Sequence, residues 1–165
     1  MNLENDIARA NLQEKTLQFD QFDTTTAWTL GCLLKESAEA QGVAVAIDIT
    51  LAGTPLFIYA MAGTNPGHAD WIRRKRNTVM RFGKSSFLVG LDTQKMDTTL
   101  DARTGSTRSE YEAVGGSFPI RLRGSANVIG AVSVSGLAPR ADHMLIVTAI
   151  ARHLQADLAT LALEG

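Results

Sequence analysis

The stretch VAVAIDITLAGTPLFIYAMA, residues 43–62, decides the fold. Its halves, 43–51 and 55–62, are runs of β-branched, aliphatic and aromatic residues, and only Ala52-Gly53-Thr54 separates them. A connection that short cannot carry the crossover that parallel neighbours need, so the two runs predict an antiparallel hairpin. Upstream, Asp23-Thr24-Thr25 offers side-chain oxygens to cap a helix that aligns Ala27, Leu30, Leu34 and Ala38 on one face and stops at Gly42. Leu3, Ile7 and Ala10 recur at helical spacing in a polar first helix expected on the outside, and residues 17–22 alternate weakly, as a strand would. Downstream, a Gly, Asn and Pro turn cluster leads into a helix over about 68–83, a short helix covers 86–96, and 92–112 reads as a long polar surface connection with at most a turn of helix. FPIRLR (118–123) and ANVIGAVSVS (126–135) predict a second strand pair after Gly115-Gly116, and 140–161 the longest helix. Helices grouped around strand hairpins indicate an α+β fold with an antiparallel sheet.

A chain of 165 residues, 45% hydrophobic and 20% charged, suffices for one well-buried core, so a single domain spanning 1–165 is expected. Sixteen lysines and arginines against 17 acids leave no global field to recruit nucleic acid or an anionic membrane. No basic leader or bilayer-length apolar run is present, which predicts a soluble, cytoplasmic protein. The single Cys32 allows no internal disulfide and reads as a small core residue.

The 68–83 helix carries the most unusual pattern. On a helical wheel Trp71, Val79 and Phe82 share an apolar stripe, with Ile72 at its edge, and His68 and Lys75 fall inside it. Lys75 there has two readings. It snorkels along Trp71 while Arg73, Arg74, Arg76 and Arg81 meet acids of another helix or subunit, or it lines a pocket with His68 and Trp71 for a small anionic or planar ligand. On either reading Lys75→Met leaves folding intact. Nucleic acid is disfavoured, because the basic run lacks interleaved exposed aromatics.

In the terminal helix Ile146, Ile150, Leu154, Leu158 and Leu161 form the apolar stripe, and His143 continues it at the first turn, facing inward near the end of the preceding strand. Ser135-Gly136 permits close backbone approach beside freed helix N–H groups, yet Pro139 and Asp142 there are also ordinary helix-starting residues. His143 is a candidate ligand-binding residue beside Ser135 and Gly136; if it only closes the cap, His143→Gln leaves ligand binding untouched and shifts stability by less than about 1 kcal/mol. The three histidines lack metal-ligand spacing, so no metal site is expected, and no G-x-S-x-G, Walker A or G-x-G-x-x-G motif occurs. Gly115-Gly116 reads as backbone flexibility before a strand.

Three blocks together are more specific: LFIYAMAGTNPGHADWIRRKRNTVMRFGKSS, VGGSFPIRL, and GAVSVSGLAPRADH followed by a terminal helix. In this order they resemble the haem-degrading-domain superfamily of GlcG and HbpS-like proteins, and within it a UPF-type branch. The resemblance covers nearly the whole chain. It implies a profilin-like α+β fold, a five-stranded antiparallel sheet whose fifth strand is 17–22, and a homo-oligomer. It also implies a ligand site at Trp71, Arg74 and Lys75 from the first block, Gly115, Gly116 and Pro119 from the second, and Ser135, Gly136 and Asp142 from the third. Members of the branch commonly place a histidine before the Gly-Gly, where this chain has Val114, and asparagine where this chain has His68. A haem ligand at 114 is therefore impossible here, and His68 is the available substitute.

Three classes of function follow. The first is a small-molecule binding protein, for haem, another tetrapyrrole or a small anionic metabolite, with a pocket between the 68–83 helix and residues 113–119. The second is an enzyme using Lys75 or His68 for acid–base or carbonyl chemistry in the same pocket. The third is a structural or assembly protein without a ligand.

Overall fold

The structure, a computed structural model, describes residues 2–164. Its helices are α1 (Leu3–Thr16), α2 (Thr24–Ala40), α3 (Pro66–Phe82), α4 (Ser86–Lys95), α5 (Leu100–Thr104), α6 (Pro139–Leu154) and α7 (Leu158–Leu161). The hairpin forms as β1 (Ala46–Leu51) and β2 (Thr54–Ala60), with Ile49 opposite Phe57. Ala52 and Gly53, both at positive φ, make a two-residue turn whose twist suits the flanking strands. Thr54 already belongs to β2. The second pair, β3 (Ser117–Arg121) and β4 (Val128–Ser135), joins through β4 to β1, so the sheet is antiparallel throughout in the order β2-β1-β4-β3.

Four strands replace the expected five. Residues 17–22 contribute one parallel bridge, in which the Phe19 N–H donates to the Arg121 carbonyl at 2.9 Å and the Arg123 N–H to the Phe19 carbonyl at 2.8 Å. Leu17 and Phe19 are buried, which accounts for the weak alternation, but the chain turns away at Asp20 to reach Asp23, whose side chain caps α2 through the Thr26 N–H. No room is left for a ladder.

Alternation along the strands sorts the two faces of the sheet. Ile47 and Ile49 of β1, Phe118 and Ile120 of β3, and Val132 and Val134 of β4 pack with α2 and α6 into the main core. Each such side chain contributes about 1.5–3 kcal/mol by leaving water. The residues between them are polar: Asp48, Thr50, Ser117 and Ser133 are buried on the other face, toward α3. There Arg76 donates to Asp48 at 2.8 Å, and the hydroxyls of Ser117 and Ser133 lie 2.7 Å apart.

The terminal helix expected over 140–161 is two helices. Gln155 adopts the left-handed conformation and ends α6, and the Asp157 carboxylate caps α7 through the Ala159 N–H. The apolar stripe persists across the break, since Ile146, Ile150 and Leu161 are all buried. α1 lies outside, on α4 and α7, yet Asp6, Gln13 and Glu14 are buried and matched to Arg140, His143 and Arg121 at 2.7, 2.7 and 3.2 Å. Among the described residues no helix is long and apolar enough to cross a membrane.

Candidate functional site

α3 begins with Asn65, whose side chain accepts from the Gly67 N–H at 2.9 Å, while the Asn65 N–H donates to His68 Nδ1 at 3.0 Å. This reciprocal cap fixes the His68 ring at the helix entrance. One and two turns on, Trp71 and Lys75 project from the same face. Opposite them come Val114-Gly115 before β3, Ser135-Gly136-Leu137 at the end of β4, and Pro139 and Asp142 in the first turn of α6. Together they enclose an open cleft of about 310 Å³.

Lys75 forms the floor and is 2% exposed. Its ammonium donates to the carbonyls of Val134 at 2.6 Å and Gly115 at 3.2 Å, and to Asp142 Oδ2 at 3.1 Å. An ammonium has three protons, and these three acceptors take them all. Asp142 Oδ1 accepts in turn from the Leu137 N–H at 3.0 Å. Burial pushes the Lys75 ammonium below its ordinary range, opposed by the Asp142 charge. Burial likewise raises the Asp142 carboxyl, opposed by Lys75. Neither snorkelling nor direct pairing with a ligand anion describes this lysine: it is an internal ion pair that ties α3 to the start of α6.

Three of the four arginines of α3 are also paired with acids of this chain, while Arg81 donates to the Thr104 carbonyl at 3.2 Å and lies over the Tyr111 ring. Arg73 pairs with Asp70 and Glu110, Arg74 with Asp70 and Glu112, and Arg76 with Asp48. Acids from the 110–112 segment and β1 thus supply much of what another helix or subunit was expected to bring. The Arg74 guanidinium lies 4.1 Å from the Trp71 ring centre and covers one indole face. Trp71 remains 41% exposed, so its other face is available.

Of the residues expected at a site, His68, Trp71, Lys75, Gly115, Ser135 and Gly136 meet at the cleft. Arg74 stands behind Trp71. Gly116 lies behind Lys75 at φ 119°, where a Cβ would overlap the ammonium and the Val134 carbonyl. Pro119 sits inside β3 opposite Ala131, tolerated because β3 is an edge strand. His143 is fully buried in the core, its Nε2 2.7 Å from Gln13 Oε1 and its ring stacked on Phe87 with centroids 4.4 Å apart. Asp142, which the resemblance implies, lines the cleft as well; Leu137 and Pro139 line it too, and of these Pro139 looks like helix initiation and Leu137 gives no signal at all.

The family description "Haem degrading protein HbpS-like" matches residues 22–151. The chain belongs to the HbpS-like family. Among HbpS-like relatives, a UPF0303 protein of Rhizobium meliloti is 48% identical over the full length of both chains. The crystal structure of the Ybr137w protein superposes with a TM-score of 0.83 at 28% identity, covering 90% of this chain and 87% of that one. The crystal structure of a PduOC:Heme complex shares the fold with a TM-score of 0.67 at 20% identity, covering 79% of this chain and 93% of that one.

The donor set of this HbpS-like chain bears on haem directly. Nδ1 of His68 lies 3.0 Å from the Asn65 N–H and 3.1 Å from the Asn65 carbonyl oxygen, so the cap engages that nitrogen and leaves Nε2 facing away from it. Lys75 has no proton left for a propionate, and Arg74 is held by Asp70 and Glu112. Neither cation is therefore free to meet haem's propionates. The cleft is also at the small end of the roughly 300–1,000 Å³ of ordinary ligand pockets. Among the described residues, no group of three or more His, Cys, Asp or Glu is placed to hold a metal ion.

Gly115 gives a direct test of the cleft's closure. A Cβ there would overlap the Pro139 carbonyl oxygen and press on His143 Cβ. Gly115→Ala is expected to lower stability by about 1–3 kcal/mol, the range for overpacking. Urea denaturation checks it, and an unchanged midpoint would mean that the loop and α6 are further apart.

Proposed function

We propose that the protein is a small-molecule binding protein, and that its ligand lies in the cleft between the start of α3, Val114-Gly115 and the β4–α6 turn. The observation that carries this reading is the buried Lys75–Asp142 pair at the floor of an open cleft. Desolvated, perturbed ionisable groups beside a concave surface are concentrated at functional sites. The free face of Trp71 suits a planar group, and the indole N–H is a donor for a carboxylate or carbonyl, with His68 Nε2 beside it. The ligand class is therefore small, planar and acceptor-bearing, not a macrocycle. Haem binding belongs to the PduOC complex named above, and the committed cations argue against carrying it over. The enzyme reading loses its main support, because Lys75 would have to abandon three hydrogen bonds before it could attack a carbonyl.

The test uses benzoate as probe, with amide NMR spectra of the full chain. Saturable shifts confined to residues 65–75, 113–116 and 135–142, abolished by Trp71→Ala, are expected. Hemin added to the same protein should give no Soret change that depends on His68. Benzoate shifts centred elsewhere, or a hemin Soret band lost in His68→Ala, would overturn the reading.

A further inference from the structure

The segment that runs from α5 to β3 has a cavity on each side of its last residues. Val114 and Gly115 line the cleft described above, while Tyr111, Glu112 and Ala113 line a second, open hollow of about 450 Å³, which the end of α4 and residues 97–108 complete. The wall between the two is held in place. The Glu112 N–H donates to Thr78 Oγ1 at 3.1 Å, and that hydroxyl donates to the Glu112 carbonyl at 2.9 Å. The Ala113 carbonyl packs on α4 at Gly90, where a Cβ would overlap it. At the base of the hollow Ser106 is 4% exposed, its hydroxyl paired with that of Thr104.

The polar groups of this hollow differ from those around it. Nearby, Arg73 pairs with Glu110, Arg74 with Glu112 and Lys84 with Asp92. Within the hollow, and among the described residues, the Arg108 guanidinium, the Asp97 carboxylate, the Gln94 amide and the Tyr111 hydroxyl form no hydrogen bond or ion pair with the rest of the chain. The Thr99 hydroxyl and backbone amides, with Arg108 at longer range, hold the Asp101 carboxyl below its usual range, so at neutral pH it is a charged acceptor there. Tyr111 is fixed edge to face against Phe82, ring centres 6.5 Å apart, with the Arg81 guanidinium 4.9 Å from its own centre.

We propose that this hollow is a second binding site, for a neutral vicinal polyol of monosaccharide size held by Gln94, Asp97, Asp101 and Arg108 against Tyr111. The lining selects that class. A simple anion meets the carboxylates of Asp97 and Asp101, and a simple cation meets Arg108. An apolar ligand would strip water from these groups without replacing their hydrogen bonds, at about 1–3 kcal/mol each. Adjacent hydroxyls satisfy all of them: a carboxylate accepts from two neighbouring hydroxyls, the planar guanidinium donates to two neighbouring oxygens, and the Gln94 amide does one of each. Tyr111 and Leu100 supply apolar surface for the C–H groups of such a ring. A volume of about 450 Å³ takes a six-carbon ring together with bridging waters. This site is independent of the planar-ligand cleft, since neither Trp71 nor His68 lines it.

Amide NMR titrations of the full chain with myo-inositol and D-glucose test it, with cyclohexanol, L-alanine and inorganic phosphate as contrasting probes. At least one of the two polyols is expected to give saturable shifts confined to residues 90–101 and 106–113, unchanged in Trp71→Ala. Cyclohexanol, a ring of the same size with a single hydroxyl, should give none. Arg108 and Asp97 are exposed, so Arg108→Ala and Asp97→Asn should fold, with spectra unaltered away from the hollow. Each should weaken the polyol at least about tenfold, the factor for one hydrogen bond to a charged group. Should either variant fail to fold, the other decides. Absence of saturable shifts with both polyols, shifts centred outside the hollow, or affinity that survives both substitutions would overturn the proposal. So would tighter binding of L-alanine or phosphate at these residues, which would make the hollow a site for ions instead.

Discussion

Lys75→Met is expected to destabilise the protein by about 3–5 kcal/mol, the scale for removing one member of a buried ion pair. The methionine keeps the aliphatic stem, so the stem's apolar packing survives. What is lost is the ammonium, and with it the only cation among the described residues that is paired with Asp142, which is 3% exposed. The carboxylate must then stay charged without compensation or take up a proton, and the carbonyls of Gly115 and Val134 lose their donor. Adding Asp142→Asn should recover part of the loss. The amide oxygen can still accept from the Leu137 N–H, and its NH₂ can turn to the freed carbonyls. Urea denaturation of parent, both singles and the double at neutral pH completes the cycle. For a chain of this size each kcal/mol corresponds to roughly 2–4 °C in melting temperature, so the single variant should melt well below the parent. A Lys75→Met protein within about 1 kcal/mol of the parent would mean that the ammonium reaches water and that the closed floor described above is wrong.

The part of the molecule that follows from periodicity was legible. Val, Ile and Phe alternation located β1, β2, β3 and β4, and the stripe Ala27, Leu30, Leu34, Ala38 located α2, because each pattern answers to a period fixed by backbone geometry. Lys75 inside an apolar stripe was a sound signal that something polar waits there. Its partner was not legible, since an acid in the first turn of a helix already has a local reason to exist. Only the close approach of Gly115 and Gly116 to α6 and α3 brings Asp142 to it. The same holds for Arg73, Arg74 and Arg76, whose acids beyond α3 itself lie in β1 and in the 110–112 segment. The break at Gln155 was hidden because glutamine carries no turn signature and the apolar stripe continues through Leu161. At 17–22 the alternation was real, but burial of Leu17 and Phe19 does not by itself make a strand; a ladder needs successive pairs.

His143 gives the second large effect, and here the expectation of a small change is replaced. The ring is fully buried, Nε2 is engaged with Gln13 on a helix 130 positions away, and Nδ1 has no partner among the described residues. Burial, helped by the positive charge of Arg140, pushes its pKa down to about 3. The unfolded chain carries this histidine near 6.5, so between those values the unfolded state binds a proton that the folded state does not. Stability is therefore unaffected by His143 above about pH 7 and is lost as pH falls from 6.5 toward 3. At 1.36 kcal/mol per unit, the full depression corresponds to roughly 4–5 kcal/mol. His143→Gln removes the titration while leaving an amide that can meet Gln13. At neutral pH the variant should be less stable by about 1–3 kcal/mol, because the stacking on Phe87 and the fit of the ring are lost. On acidification its stability should decline more gently, and near pH 4–5 it should match or exceed the parent. Urea denaturation of both proteins from pH 7 to pH 4 compares the slopes directly, and carboxylates common to both, such as Asp6 and Glu14, cancel in the difference. Parallel curves would show that His143 takes up its proton in the folded state, which requires water or an acceptor at Nδ1 and a far looser contact between α1, α4 and α6.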